Sequence, residues 1–200
     1  DTSLFEAGIV HTYWQSAIAG ATGQSPGPLG SAHPLTAPYQ AFKTMDKWIT
    51  VGASNQNTWL MLLKAINRMD LQENEMFSSN LNRKKNIIQL VEILNAELIK
   101  KTSDEWLKIF DDNGLPCGPI NSINEMFEDP QTIEREMIIE VDNKKAGTSK
   151  AIGMPIKFSK SKTEKSKGAP NLGEHTKEIM KIFDYNDEQI ENFYNRKVIL

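Results

Sequence analysis

Gly23-Gln24-Ser25-Pro26-Gly27-Pro28-Leu29-Gly30-Ser31-Ala32-His33-Pro34-Leu35-Thr36-Ala37-Pro38 divides the chain. Proline offers no amide to a ladder and glycine loses the most backbone freedom on ordering. The stretch from 21 to 38 therefore sustains neither a helix nor a central strand, and it reads as an extended linker and the clearest domain boundary. Upstream of it, Ser3 and Glu6 have the spacing of a capping box. They open a predicted helix whose broad apolar face carries Phe5, Ile9, Val10, Tyr13, Trp14, Ala17 and Ile18 and ends near Gly20. Downstream, Trp48-Ile49-Thr50-Val51 is rich in strand formers and follows a turn at Met45-Asp46-Lys47.

Beyond that strand the period changes. Trp59, Leu62, Leu63 and Ile66 mark a helix by their spacing, and Ile87, Leu90, Val91, Leu94 and Leu98 mark a longer one. Thr102 with Glu105 opens a helix through Trp106, Leu107 and Phe110, which Asn113-Gly114 closes. Ser122 with Glu125, then Asp129-Pro130, start two short helices. Met137–Val141 and Ala151–Phe158 read as strands joined in a hairpin across Asn143–Lys150. Two helices, around 174–183 and 187–195, end the chain. The expected class is α+β: a small domain over 41–158 whose one antiparallel sheet includes 48–52, 137–141 and 151–158. Helical pieces without a sheet of their own flank it, at 1–22 and 171–200, across linkers at 23–40 and 159–170. Broad apolar helix faces must be buried against something.

Composition narrows the function classes. The 200 residues are 39% hydrophobic and 24% charged, which fits a soluble globular chain. A net charge of −3 supplies no basic field for nucleic acid, and no apolar run reaches membrane-spanning length. The single cysteine, Cys117, excludes an internal disulfide framework and suits a reducing compartment. A cytoplasmic location, or a mitochondrial one in a eukaryote, is the expectation. His11, His33 and His175 lack paired ligand spacing, so no metal is expected. Opening on Asp1 inside a helix cap, the chain reads as cut from something longer.

Five motifs then stand in a fixed order. Gly30-Ser31-Ala32-His33-Pro34 leads into Pro38-Tyr39-Gln40-Ala41-Phe42-Lys43-Thr44. Gly114-Leu115-Pro116-Cys117-Gly118-Pro119-Ile120-Asn121 and Asp129-Pro130-Gln131 follow. Gly153-Met154-Pro155-Ile156-Lys157-Phe158-Ser159 and Pro170-Asn171-Leu172-Gly173-Glu174-His175-Thr176 complete the set. Together they resemble the C-terminal half of class III CoA-transferases, the family of formyl-CoA transferase, carnitine CoA-transferase and α-methylacyl-CoA racemase. Family members commonly carry glycine where this chain has Lys47, so the resemblance leaves the type of that turn open.

The resemblance implies a CoA-transferase moving CoA from an acyl-CoA thioester to a carboxylic acid through an aspartyl intermediate. Its nucleophilic aspartate lies upstream of Asp1, so no catalytic residue is assigned within the chain, which alone is expected to be inactive. Coenzyme A enters as substrate, with no covalently bound cofactor. The implied fold is a small domain plus the final helices of an incomplete Rossmann-like large domain, in an interlocked dimer. The partners implied are therefore acyl-CoA, a small carboxylic acid, and the missing N-terminal half, a homodimer partner or both. Two alternatives stay open: an acyl-CoA racemase of the same family, and a non-catalytic binding or assembly module. A family loop that lies over the active site aligns with Gly30, His33, Tyr39 and Gln40, the candidate substrate and CoA loop. In place of consecutive glycines it has a His-Pro pair here, and a loop histidine serves as acid, base or hydrogen-bond donor near neutral pH. Taken singly, His33 reads more readily as a turn residue packed on proline, Cys117 as a buried small residue, Glu174 as a helix cap and His175 as structural.

Overall fold

The computed structural model describes residues 1–161 and 167–200. They form two compact units, Asp1–Ile120 and Asn121–Leu200. The division falls within the 41–158 stretch that the sequence places in one small domain.

In the first unit, α1 (Leu4–Val10) and α2 (Tyr13–Thr22) precede β1 (Tyr39–Lys43) and β2 (Trp48–Gly52). Then come α3 (Gln56–Ala65), a 3-10 turn at Met69–Gln72, α4 (Asn80–Lys85), α5 (Ile87–Leu98), α6 (Ser103–Asp112) and β3 (Cys117–Pro119). The three strands form an antiparallel sheet in the order β1-β2-β3, with Phe42 opposite Ile49 and Val51 opposite Cys117. Strand alternation turns Phe42, Ile49 and Val51 inward, while Trp48 and Thr50 stay exposed. Trp59, Leu62 and Leu63 of α3, Leu90, Leu94 and Leu98 of α5, and Trp106 and Phe110 of α6 close over that face as one core. The cap signals act as the sequence implies: Thr102 and Glu105 form a capping box, and Gly114 takes the left-handed conformation at φ +68°.

The second unit holds α7 (Ile123–Glu128), α8 (Pro130–Glu134), β4 (Ile138–Asn143), β5 (Gly147–Ile152), α9 (Thr176–Ile182) and α10 (Asp187–Asn195). Its two strands pair only with each other, Ile138 opposite Ile152. The Asn143 side chain accepts from the amides of Lys145 and Ala146, both at 2.8 Å, and Gly147 at φ +76° completes the turn.

The class is α+β as expected, yet three local expectations are corrected. The single sheet is two sheets, because both edges of β2 are already occupied by β1 and the short β3. The strand expected at 151–158 spans Gly147–Ile152 instead. Gly153 closes the ladder by donating to the Met137 carbonyl at 2.8 Å, and Pro155 has no amide to continue it. The opening helix is broken at His11-Thr12, where the Thr12 hydroxyl and amide both bind the Ile9 carbonyl, at 2.7 and 3.0 Å. Ile190 of α10 is buried. Phe5, Val10, Ile182 and Phe183 do face outward. Of the second expected linker, residues 162–166, with Lys162 and Lys165, lie outside the described residues.

Candidate functional site

The loop from Leu29 to Gln40 begins with a turn in which Ala32 donates to the Leu29 carbonyl at 3.0 Å. Gly30 occupies a left-handed position there, φ +59°, which a side chain would strain. Ser31 then accepts from the Ala41 amide at 3.1 Å and ties the turn to β1. His33 donates its amide to the Tyr39 carbonyl at 2.9 Å, folding the loop back on the start of the strand. The two rings lie nearly parallel, 5° apart with centroids at 5.2 Å, and the Trp14 ring of α2 meets His33 edge-on at 5.4 Å. The His33 Nδ1 accepts from the amides of Leu35 and Thr36, each at 3.1 Å, with the Thr36 hydroxyl 3.0 Å away. Of the four sequence-predicted residues, Gly30, His33 and Tyr39 thus shape one feature. Gln40 lies next to Tyr39 on β1, and its side chain makes no hydrogen bond among the described residues.

Helix α4 holds this loop by its backbone. Asn80 accepts from the Ala37 amide at 3.0 Å and donates to the Leu35 carbonyl at 2.9 Å. Arg83 donates from Nε to the Ala37 carbonyl at 2.7 Å, and Lys84 donates to the His33 carbonyl at 3.2 Å. Arg83 is fully buried. Its Nη1 also donates to the Phe77 carbonyl and the Gln56 side chain, at 2.9 and 3.0 Å, and the guanidinium lies 4.9 Å from the Trp59 ring centre. Burial pulls the guanidinium below its ordinary basicity, and no carboxylate pairs with it among the described residues. Carbonyl dipoles and an aromatic face thus take the place of a counter-ion. No motif or apolar spacing marks Asn80, Arg83 or Lys84 in the sequence, which leaves all three anchors unassigned there.

Elsewhere the chain offers less chemistry. Cys117 is half-buried, and burial, helped by Asp111, raises its thiol pKa. That opposes a nucleophilic role. The Asp46 carboxylate accepts from the Ser103 amide at 2.7 Å, from the Lys47 amide and from the Thr44 hydroxyl. The Ser103 amide is the chief reason its pKa falls from 3.8 to about 2. This latch, with the Met45 amide on the Lys101 carbonyl, sets the turn, and Lys47 is not among the residues with positive φ.

Glu174 does not cap α9. Its carboxylate binds Lys144 at 2.6 Å and accepts from the Asn171 amide and side chain, which lowers its pKa to about 2. The residue before the helix is His175, whose side chain makes no cap bond. Among the described residues, no three His, Cys, Asp or Glu side chains converge on a metal-sized site. None of the described helices is long and apolar enough to cross a membrane.

Residues 1–176 match the profile of CoA-transferase family III. An acyl-CoA transferase of Fusarium pseudograminearum is 38% identical over 85% of the chain and 38% of its own length. Succinyl-CoA:glutarate CoA-transferase of Mus musculus is 33% identical over 85% of the chain and 39% of its own length. Among solved structures, a CAIB/BAIF family protein from Brucella suis superimposes with a TM-score of 0.71 at 29% identity, over 86% of the chain and 44% of that protein. The chain thus spans about four-tenths of the length of these relatives. With its motifs in order and the match running through both units, the chain belongs to CoA-transferase family III.

Proposed function

We propose that the chain is the C-terminal portion of an acyl-CoA:carboxylate CoA-transferase whose nucleophilic aspartate lies outside these residues. The observation that carries this reading is the anchored loop: a His-Tyr stack held at four backbone atoms by α4, in a chain of this family. Coenzyme A is then a substrate that arrives as a thioester and leaves on a carboxylic acid. In such a reaction the aspartate attacks the thioester carbonyl, a mixed anhydride forms, and CoA departs as thiolate. The thiolate next attacks the aspartyl carbonyl of that anhydride, releasing the donor carboxylate and leaving an aspartyl-CoA thioester. The acceptor carboxylate attacks this thioester to form a second anhydride and free the thiolate, which takes the acceptor acyl group and releases the aspartate. The loop's part is to close over the reacting centre and exclude water from an anhydride that water would destroy.

Residues 1–22 and 171–200 serve on this reading as helices of the large domain, 41–158 as the small domain, and 23–40 and 159–170 as the crossings between them. The outward Phe5, Ile9, Val10 and Trp14 supply the face on which the missing half, a second copy or both would pack in an interlocked dimer. The test pairs this chain with an N-terminal half carrying the aspartate. Labelled CoA exchange is then followed between acyl-CoA donors, succinyl-CoA first, and a panel of carboxylic acids that includes glutarate. Exchange by the pair and none by the chain alone is the expected result. Sustained turnover by the isolated chain, abolished by substituting one of its own aspartates, would overturn the proposal.

A further inference from the structure

We infer that His33 acts as a fixed hydrogen-bond donor through its Nε2–H, aimed at a carbonyl or carboxylate oxygen of the substrate, and not as a base. The inference deepens the functional reading above and rests on it for the identity of the substrate. An imidazole nitrogen offers one in-plane site, occupied either by a proton or by a lone pair. At Nδ1 that site faces the amides of Leu35 and Thr36, both obligate donors, at 3.1 Å each. Nδ1 must therefore carry the lone pair, and the neutral ring must carry its proton on Nε2. The Thr36 hydroxyl, at 3.0 Å, rotates to suit and does not alter the assignment.

For His33 to accept a proton at Nε2, the proton there must first move to Nδ1, which would break both amide bonds and open the turn that places the ring. The neighbouring charges do not favour that exchange. Lys84 lies on the His33 carbonyl at 3.2 Å, and no carboxylate bonds to the ring among the described residues. The Tyr39 face and the Trp14 edge hold the plane of the ring, and Asn80, Arg83 and Lys84 hold the backbone on either side. Nε2–H has no hydrogen-bond partner among the described residues. A donor fixed in advance and left unpaired is what stabilises an oxygen on which negative charge develops, at no reorganisation cost during reaction.

Two measurements test this, and the first needs no activity. In the full chain labelled with 15N, long-range proton–nitrogen correlations, recorded at a pH alkaline enough that the ring is neutral, report which nitrogen of the His33 ring is protonated. One species with a bare Nδ1 and a protonated Nε2 is expected; the opposite tautomer, or an averaged mixture, overturns the inference. The second uses the chain paired with the aspartate-bearing half. His33→Phe keeps a ring to stack on Tyr39 and removes the donor, and should lower kcat by about 100-fold with KM within about threefold. His33→Gln, which restores an N–H, should recover part of that loss. The pH profile of the His33→Phe enzyme should keep the wild-type shape, since no titrating base is removed. Unchanged kcat, or disappearance of the acid limb in His33→Phe, overturns the donor role. If the pair transfers no CoA at all, the functional reading fails, while the ring correlations still decide the tautomer.

Discussion

Replacing Arg83 with methionine should destabilise the first unit by about 3–5 kcal/mol, the combined cost of two orphaned buried carbonyls and a lost aromatic contact. The guanidinium makes three hydrogen bonds, to the Ala37 and Phe77 carbonyls and the Gln56 side chain. Methionine fills a similar volume and needs no desolvation of charge, so the packing loss is small. What remains is two buried carbonyls without partners, at roughly 1–3 kcal/mol each, and the lost contact with Trp59, worth about 1–2 kcal/mol when desolvated. All four tryptophans, Trp14, Trp48, Trp59 and Trp106, lie in the first unit, so fluorescence during urea unfolding reports that unit alone. With a slope of about 2 kcal/mol per molar urea, the midpoint should fall by roughly 2 M. Hydrogen exchange across 35–39 should accelerate in parallel, because α4 no longer holds the Ala37 carbonyl. A midpoint shift below about 0.5 M would refute the idea that buried acceptors depend on this side chain.

Asp46→Asn keeps an oxygen for the Ser103 amide but loses the charge; it should unfold earlier at pH 7 and flatten the acid dependence. Because folding depresses the Asp46 pKa from 3.8 to about 2, its stabilisation is complete above about 4 and lost as pH falls towards 2. Acid titration followed by tryptophan fluorescence checks the sign, and a steeper acid transition in the variant would contradict it. Glu174→Gln should behave likewise in the second unit between about 4.5 and 2, with the ion pair to Lys144 lost, as read by amide exchange at Asn171. Leu94→Ala, in the fully buried face of α5, should cost about 2–5 kcal/mol by urea unfolding; a cost below about 1 would mean the core collapses around the gap.

The sequence made visible whatever was written locally. Capping pairs, the Gly114 terminator and the apolar spacing of α3, α5 and α6 each act over one or two turns of chain, so their residues suffice to read them. Features set by distant partners escaped it. Strand β3 exists because β1 leaves the other edge of β2 open to it, and three residues that follow Pro116 and end in Pro119 carry no alternation to betray it. Nothing in the run Arg83-Lys84-Lys85 singles out Arg83, and only the approach of Ala37, 46 residues earlier, makes it an internal anchor. At the loop, the pattern marked Gly30, His33 and Tyr39 by family likeness, while the orientation of the histidine ring came from backbone amides that every sequence possesses.

The close of the sheet has a mechanical consequence. The Gly52 amide donates to the Pro116 carbonyl at 2.8 Å, so the entire helical excursion from α3 to α6 begins and ends at one hydrogen bond. Tension entering along β1 and leaving past Ile120 travels through the antiparallel ladder of β1, β2 and β3. That tension first meets the α4 anchors, Asn80 and Arg83 on Ala37, and only then loads the ladder. Within the sheet, the three residue pairs joining β2 and β3 are the shortest seam, which makes them its mechanical fuse.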